Sequence, residues 1–240
     1  GNHAVLGYKC CLRYYRDGIG CSGKINMYDV IIKNGTILDG TQQTPYVSTI
    51  AIKNKTIAQI NSQISADAKT VIDATGLYVC PGFIDITNHS DTHWTLFDHP
   101  SQESMLRQGI TTIIGGSCGS SLAPLLHGSI SAESVQKWVD TSQINVNWLG
   151  MGEFLDEVDH HKLGVHFGSL TGHGTLRRDS MEDVIRPANA TEIEQMAFLL
   201  DNALKEGAFG LSLGLMFSHG RSATDEELLP GSRALCVLPD

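Results

Sequence analysis

The sequence predicts an α/β protein: a parallel sheet with crossover helices, preceded by a small antiparallel β-domain. Three observations predict it. Up to Val79 the chain reads as short β-branched runs broken by turns. From Cys80 strand-like and helix-like segments alternate, the pattern of parallel strands joined by helical crossovers. Between the two lies Cys80-Pro-Gly-Phe-Ile-Asp85, an apolar run that ends in a carboxylate and opens the polar cluster Ile86-Thr-Asn-His-Ser-Asp91. A buried parallel strand delivers polar side chains to its C-terminal end in this way.

Taken in order, residues 1–26 lack the charged start, apolar core and small-residue cleavage site of a secretory signal. They read as a tail, or as an out-of-frame stretch ahead of Met27, and their cysteines are assigned no metal. Residues 27–79 form the small β-domain. There DVIIKNGTILDG and STIAIKNKTIAQI cluster β-branched residues around Asn-Gly and Asn-Lys turns, and VIDATGLYV adds a turn at Thr75-Gly76. Residues 80–240 carry the alternation. Strands are expected at 82–86, 110–114, 144–149, 165–170 and 208–213, and helices at 100–108, 131–140 and 191–205. Thr191 with Glu194 reads as the capping box of the last helix, and Gly207 as its C-terminal glycine.

Composition narrows the function. With 41% hydrophobic and 18% charged residues the 240-residue chain has the makings of a core. A net charge of −9 argues against nucleic acid and anionic membranes as partners. No apolar run approaches the roughly 20 residues of a spanning helix. Six cysteines without framework spacing point to a reduced, cytoplasmic setting. Oligomeric state is not legible.

The chemistry gathers at two strand ends. The first presents His89. In the second, GITTIIGGSCGSSLAP from Gly109, strand 110–114 runs into a glycine-rich loop that presents Cys118. A histidine and a cysteine on neighbouring strand ends are the start of a metal site, because imidazole and thiolate are zinc's preferred ligands. Against this stands the bland reading of Cys118 as a small buried residue and of His89 as a hydrogen-bonded strand-end histidine.

Together with GHGTLR at 172–177 and GAFGLSLGLMFSHG…ATDEEL at 207–228, these motifs resemble the N-acyl-D-amino-acid deacylase (D-aminoacylase) family of the amidohydrolase superfamily, from about Tyr28 to Leu229. The resemblance implies a metal-dependent hydrolase (β/α)8 TIM-type barrel beside a small β-domain. It implies hydrolysis of the amide bond of a small-molecule N-acyl-D-amino acid. It also implies a zinc ion held by Cys118, which replaces the carboxylated lysine of many relatives. His89 is the second histidine of the family's His-x-His pair. Thr87 stands in place of the first, so one zinc is expected and the second position is in doubt. Asp91 and His93 are alternative donors, with Asp91 also read as orienting His89, and Asp85 as bonding a neighbouring loop. His173 and Arg177 are candidates to hold a substrate carboxylate or carbonyl oxygen. Ser212 lies where the family shapes its acyl pocket. His127, His160 and His161 are expected at the solvated surface, and His219 is left open. The family's catalytic aspartate and two further metal histidines are expected beyond Asp240.

A full barrel takes about 250 residues, so residues 80–240 hold about five of its eight units. The barrel is therefore expected only in part, with the last residues departing from the family pattern. The chain reads as truncated or frame-shifted, and inactive by itself. A cyclic amidohydrolase of the dihydroorotase or hydantoinase kind, or a non-catalytic pseudoenzyme or fragment, are the alternatives.

Overall fold

The computed structural model describes residues 27–125, 146–182 and 184–228. The tail 1–26, His127, the helix expected at 131–140, the start of the strand expected at 144–149 and the last residues lie outside them. Two compact units divide the chain: one runs to Phe83 and includes Ser104–Thr111, the other holds Ile84–Glu103 and the chain from Thr112.

The first unit is a mixed sheet, not the antiparallel one expected. Its strands are β1 (Tyr28–Ile37), β2 (Tyr46–Lys53), β3 (Thr56–Asn61), β4 (Ala68–Asp73) and β5 (Tyr78–Val79), ordered β3-β2-β1-β4 with β5 also on β1. β2 runs antiparallel to β1 and β3, while β4 and β5 run parallel to β1. The reason lies at Asn34-Gly35. That pair was expected to reverse the chain, but it sits inside β1 as a bulge, with Asn34 at φ 60° and the β1–β2 register shifting between Ile32 and Gly35. β1 therefore continues, pairing first with β4 and then with β5. Asn54 and Lys55, both at positive φ, do make the two-residue β2–β3 turn. Thr75-Gly76 turns as expected, closed by Leu77 N–H donating to the Ala74 carbonyl at 2.9 Å. The core has Ile32, Ile37, Ile50 and Ala74 in one cluster and Tyr28, Ile31 and Ala51 in another.

Beyond it the parallel alternation holds. β6 (Phe83–Asp85), β7 (Ile110–Gly115) and β8 (His166–Ser169) stand in that order, and β9 (Thr171–Gly172) pairs in parallel with β10 (Leu211–Ser212). Helices α1 (Thr95–Asp98), α2 (Glu103–Arg107), α3 (Met151–His160), α4 (His173–Met181) and α5 (Ala190–Lys205) intervene. Three expectations are corrected. Residues 146–149 form no strand, and the chain enters α3 instead. α5 is capped by Asn189, whose side chain accepts from Glu192 N–H at 3.0 Å, and not by Thr191. β6 was expected to be buried, yet Phe83 is 51% and Ile84 61% exposed. β6 is the edge of its described sheet, with a strand on one side only.

The second unit packs α4 on α5 through Leu176, Met196, Leu199 and Leu200. An aromatic cluster joins the loop after β6 to α3: Trp148 lies 6.0 Å from Trp94, 5.6 Å from Phe97 and 5.3 Å from Phe154, ring centre to ring centre. Among the described residues no helix is long and apolar enough to cross a membrane.

Candidate functional site

Four segments at the C-terminal ends of strands in the second unit converge: those after β6, β7, β9 and β10. They enclose a cavity of about 280 Å³ whose lining includes His89, His93, Cys118, Arg178, Phe217 and His219. In parallel sheets this end is where ligands bind.

The loop after β7 is shaped by glycines at two points. Gly116 (φ +71°) and Gly119 (φ +76°) occupy the left-handed region, and a Cβ would lie 1.9 Å from the Leu170 carbonyl oxygen at the first and 2.7 Å from Gly214 N at the second. Neither position admits a side chain. Between them Cys118 takes φ 56°, a conformation rare for a residue with a Cβ, and its side chain is exposed. Polar side chains from three other segments hold the loop in that shape. Gly116 N–H donates to Asp91 Oδ2 at 2.6 Å, and Gly119 N–H donates to Ser212 Oγ at 3.0 Å. The Ser212 hydroxyl donates to the Gly116 carbonyl. Thr175 N–H donates to the Gly119 carbonyl at 3.2 Å, and Thr175 Oγ1 accepts from Ser121 N–H at 2.9 Å.

Asp91 is fully buried, and that burial pushes its carboxyl above the usual carboxylate range against the opposing hydrogen bond from Gly116. It grips the Cys118 loop, a contact the sequence reading did not foresee. Asp85 bonds the loop that follows it, accepting from Thr87 N–H at 3.1 Å and from Asn88 Nδ2 at 2.8 Å. His89 is half-buried, with the His93 ring edge-on at 6.4 Å. Thr87 is exposed.

The residues expected at the substrate make protein contacts of their own. His173 and Arg177 are 4% and 1% exposed, and both face Glu227. His173 Nε2 lies 2.7 Å from Glu227 Oε1, and Arg177 Nη1 donates to both carboxylate oxygens. Arg177 Nη2 donates to the Arg186 carbonyl and to Ser222 Oγ. Burial alone would raise the Glu227 carboxyl, but His173 and Arg177 outweigh it and hold it below its usual range. Ser212 likewise gives its hydroxyl to the loop backbone. The expected trio thus anchors helix and loop, and Arg178, the next residue on α4, is the arginine that lines the cavity. His219 lines it too. His160 and His161 are exposed, as expected. Sequence reasoning missed Glu227, because nothing in Asp225-Glu-Glu227 marks which of the three carboxylates turns inward.

The types of donor fit zinc: an exposed thiol on a glycine-rich loop shares a cavity wall with an imidazole. Their number falls short of a whole site. A catalytic zinc takes three protein ligands, and among the described residues no three of His, Cys, Asp and Glu stand close enough to hold a metal ion.

Comparison with known proteins agrees with this architecture. Residues 70–235 match the amidohydrolase family. The chain belongs to that family. It is 32% identical to the D-aminoacylase of Alcaligenes xylosoxydans xylosoxydans over 208 residues, covering 87% of this chain and 42% of that protein. It is 33% identical to an N-acyl-D-aspartate deacylase of the same organism over 203 residues, covering 84% and 39%. Among solved structures, a D-aminoacylase with a binuclear metal center superposes with a TM-score of 0.77 at 31% identity, covering 87% of this chain and 43% of that one. The N-acyl-D-glutamate deacylase of Bordetella bronchiseptica, complexed with zinc and a phosphonate inhibitor, superposes with a TM-score of 0.75 at 29% identity, covering 86% and 42%. An L-hydantoinase from Arthrobacter aurescens at 20% identity and a TM-score of 0.51 shares the fold alone. This amidohydrolase thus spans less than half the length of the deacylases it matches.

Proposed function

We propose that this chain carries part of the active site of a zinc-dependent deacylase acting on N-acyl-D-amino acids, with Cys118 and His89 as metal donors. The observation that carries the reading is the meeting of Cys118 and His89 on one cavity at the C-terminal ends of β6 and β7. The likeness to D-aminoacylase and to the N-acyl-D-aspartate deacylase supports the substrate class. The sequential parallel strands β6, β7 and β8 support reading the second unit as part of a (β/α)8 barrel.

Bound zinc would supply Lewis acidity, polarising an acyl carbonyl and acidifying a water molecule. The chain's own residues do the rest of what this part contributes. The Cys118 loop presents a thiol in one fixed direction. Arg178 lines the cavity, and an arginine is suited to a substrate carboxylate. Phe217 gives the same wall an apolar patch for an acyl or side-chain group. His173 and Arg177 serve the cavity through α4, which they tie to Glu227.

A second reading, a non-catalytic relative, is favoured by one observation: no three-donor group exists among the described residues. Zinc titration of the chain, of Cys118→Ala and of His89→Ala tests the metal assignment, with zinc binding lost in the first variant and weakened in the second. Equal zinc affinity in Cys118→Ala refutes it. Ligand-observed NMR with N-acetyl-D- and N-acetyl-L-amino acids tests the substrate class, and equal binding of the two enantiomers refutes that.

A further inference from the structure

Ser212 holds both ends of the loop that presents Cys118. Its hydroxyl accepts from Gly119 N–H at 3.0 Å, and the same oxygen donates to the Gly116 carbonyl. The two groups it joins flank Cys118, and both glycines are buried. Ser212 is itself 9% exposed and sits at the end of β10, 93 residues along the chain from Gly119. A serine hydroxyl is one donor and one acceptor on a single atom, which matches what the two ends of a tight loop leave unmet. The contact is close elsewhere too, since a Cβ on Gly214, two residues past Ser212, would meet the Cys118 carbonyl oxygen at 2.2 Å.

The other polar contacts to the loop are not equivalent. Asp91 holds only Gly116 N–H, and Thr175 holds the Gly119 carbonyl and Ser121. Ser212 alone among them touches both residues that bracket the left-handed Cys118. Removing its hydroxyl orphans a buried N–H and weakens a buried carbonyl at once, which costs more than the loss of an exposed hydrogen bond.

We propose that Ser212 is a positioning residue for Cys118: it clamps Gly116 to Gly119, keeps Cys118 in its left-handed conformation and so fixes the direction of the thiol toward the cavity. The inference rests on the reading of Cys118 as a metal donor for its purpose, but not for its geometry. The serine of the GLSLG segment thereby acts on the ligand loop.

The test uses the 240-residue chain, metal-free and then with zinc, in Ser212→Ala, Ser212→Thr and Cys118→Ala. In the metal-free protein, hydrogen exchange at the Gly119 amide in Ser212→Ala should rise at least about tenfold relative to the Leu200 amide in α5, the change expected when a buried group loses its partner. Alkylation of Cys118 by iodoacetamide, read by peptide mass against Cys80, should change in the same variant. Ser212→Thr, which keeps a hydroxyl, should restore both. With zinc, Ser212→Ala should weaken binding about tenfold. Unchanged Gly119 exchange and Cys118 alkylation overturn the clamp. So does an equal rise at Gly119 and Leu200, which would mark general loosening of the unit. Zinc binding that survives Cys118→Ala overturns the donor assignment instead, and leaves the exchange and alkylation results to decide the clamp.

Discussion

Arg177, a candidate for substrate binding in the sequence, makes its contacts within the protein frame. Its side chain is 1% exposed, and a buried guanidinium is tolerable only when its charge and N–H groups are met. Its Nη1 donates to both Glu227 oxygens, its Nη2 to the Arg186 carbonyl and Ser222, and His173 Nε2 shares Glu227 Oε1 with it. Breaking such a pair leaves an uncompensated buried charge. Arg177→Ala should therefore lower stability by about 3–5 kcal/mol in urea unfolding, and a loss below about 1 kcal/mol would contradict the buried pair. The pH dependence has a defined sign. Glu227 has its folded pKa lowered, so its contribution is complete above the unfolded glutamate value of about 4.3 and fades as pH falls through the lower folded value. Glu227→Gln should be less stable than the native chain at neutral pH, and the gap between their melting temperatures should close as pH is lowered toward 3. A gap that stays constant would show that the carboxylate's charge is not what Arg177 and His173 require.

At the scale of elements, the two candidate caps of α5 make separate predictions. Asn189 accepts from Glu192 N–H, and the Glu192 carboxylate accepts from Asn189 N–H at 2.8 Å while pairing with Arg186. Asn189→Ala should cost about 1 kcal/mol, and Thr191→Ala, inside the first turn, less than about 0.5 kcal/mol; the reverse order in thermal unfolding would restore the cap read from the sequence. The two-residue error arose because Asn189-Ala-Thr191-Glu192-Ile-Glu194 offers two cap-and-glutamate pairs at the same spacing, and only the backbone chooses. β7 and α5 were legible for a simple reason: each carries an uninterrupted local pattern. α3 was missed even though Met151, Phe154 and Val158 bury one helical face, because Gly150 and Gly152 break the text where the helix starts. The bulge in β1 was missed because Asn-Gly supplies the same left-handed backbone to a bulge as to a turn, and the choice belongs to β4 and β5, which pair with β1 from far along the chain. The site divides in the same way. The place of Cys118 and His89 on one cavity was legible because each sits at the end of an apolar run inside its own motif. The grip of Asp91 on Gly116 and of Ser212 on Gly119 was not, since those bonds span 25 and 93 residues. Local sequence shows which residue a strand delivers. It does not show which distant hydroxyl or carboxylate holds the delivered loop.

For the whole molecule, the deciding quantity is the number of donors at the cavity. One wall brings a thiol and an imidazole together, and the described residues contain no third group close enough to complete a metal-binding trio. A site with fewer than three protein ligands holds zinc weakly and leaves its direction unset. Missing ligation acts on the transition state, and losses of this kind run to several orders of magnitude. The purified 240-residue chain with added zinc should therefore release amine from N-acetyl-D-amino acids at a rate on the order of 10³-fold or more below that of the D-aminoacylase it resembles. The assay is initial-rate amine detection across several D-amino acids, with Cys118→Ala as the blank. Turnover within about tenfold of that relative, abolished in Cys118→Ala, would show that residues of this chain complete the metal site after all, and His93 and His219, which already line the cavity, would be the first to substitute.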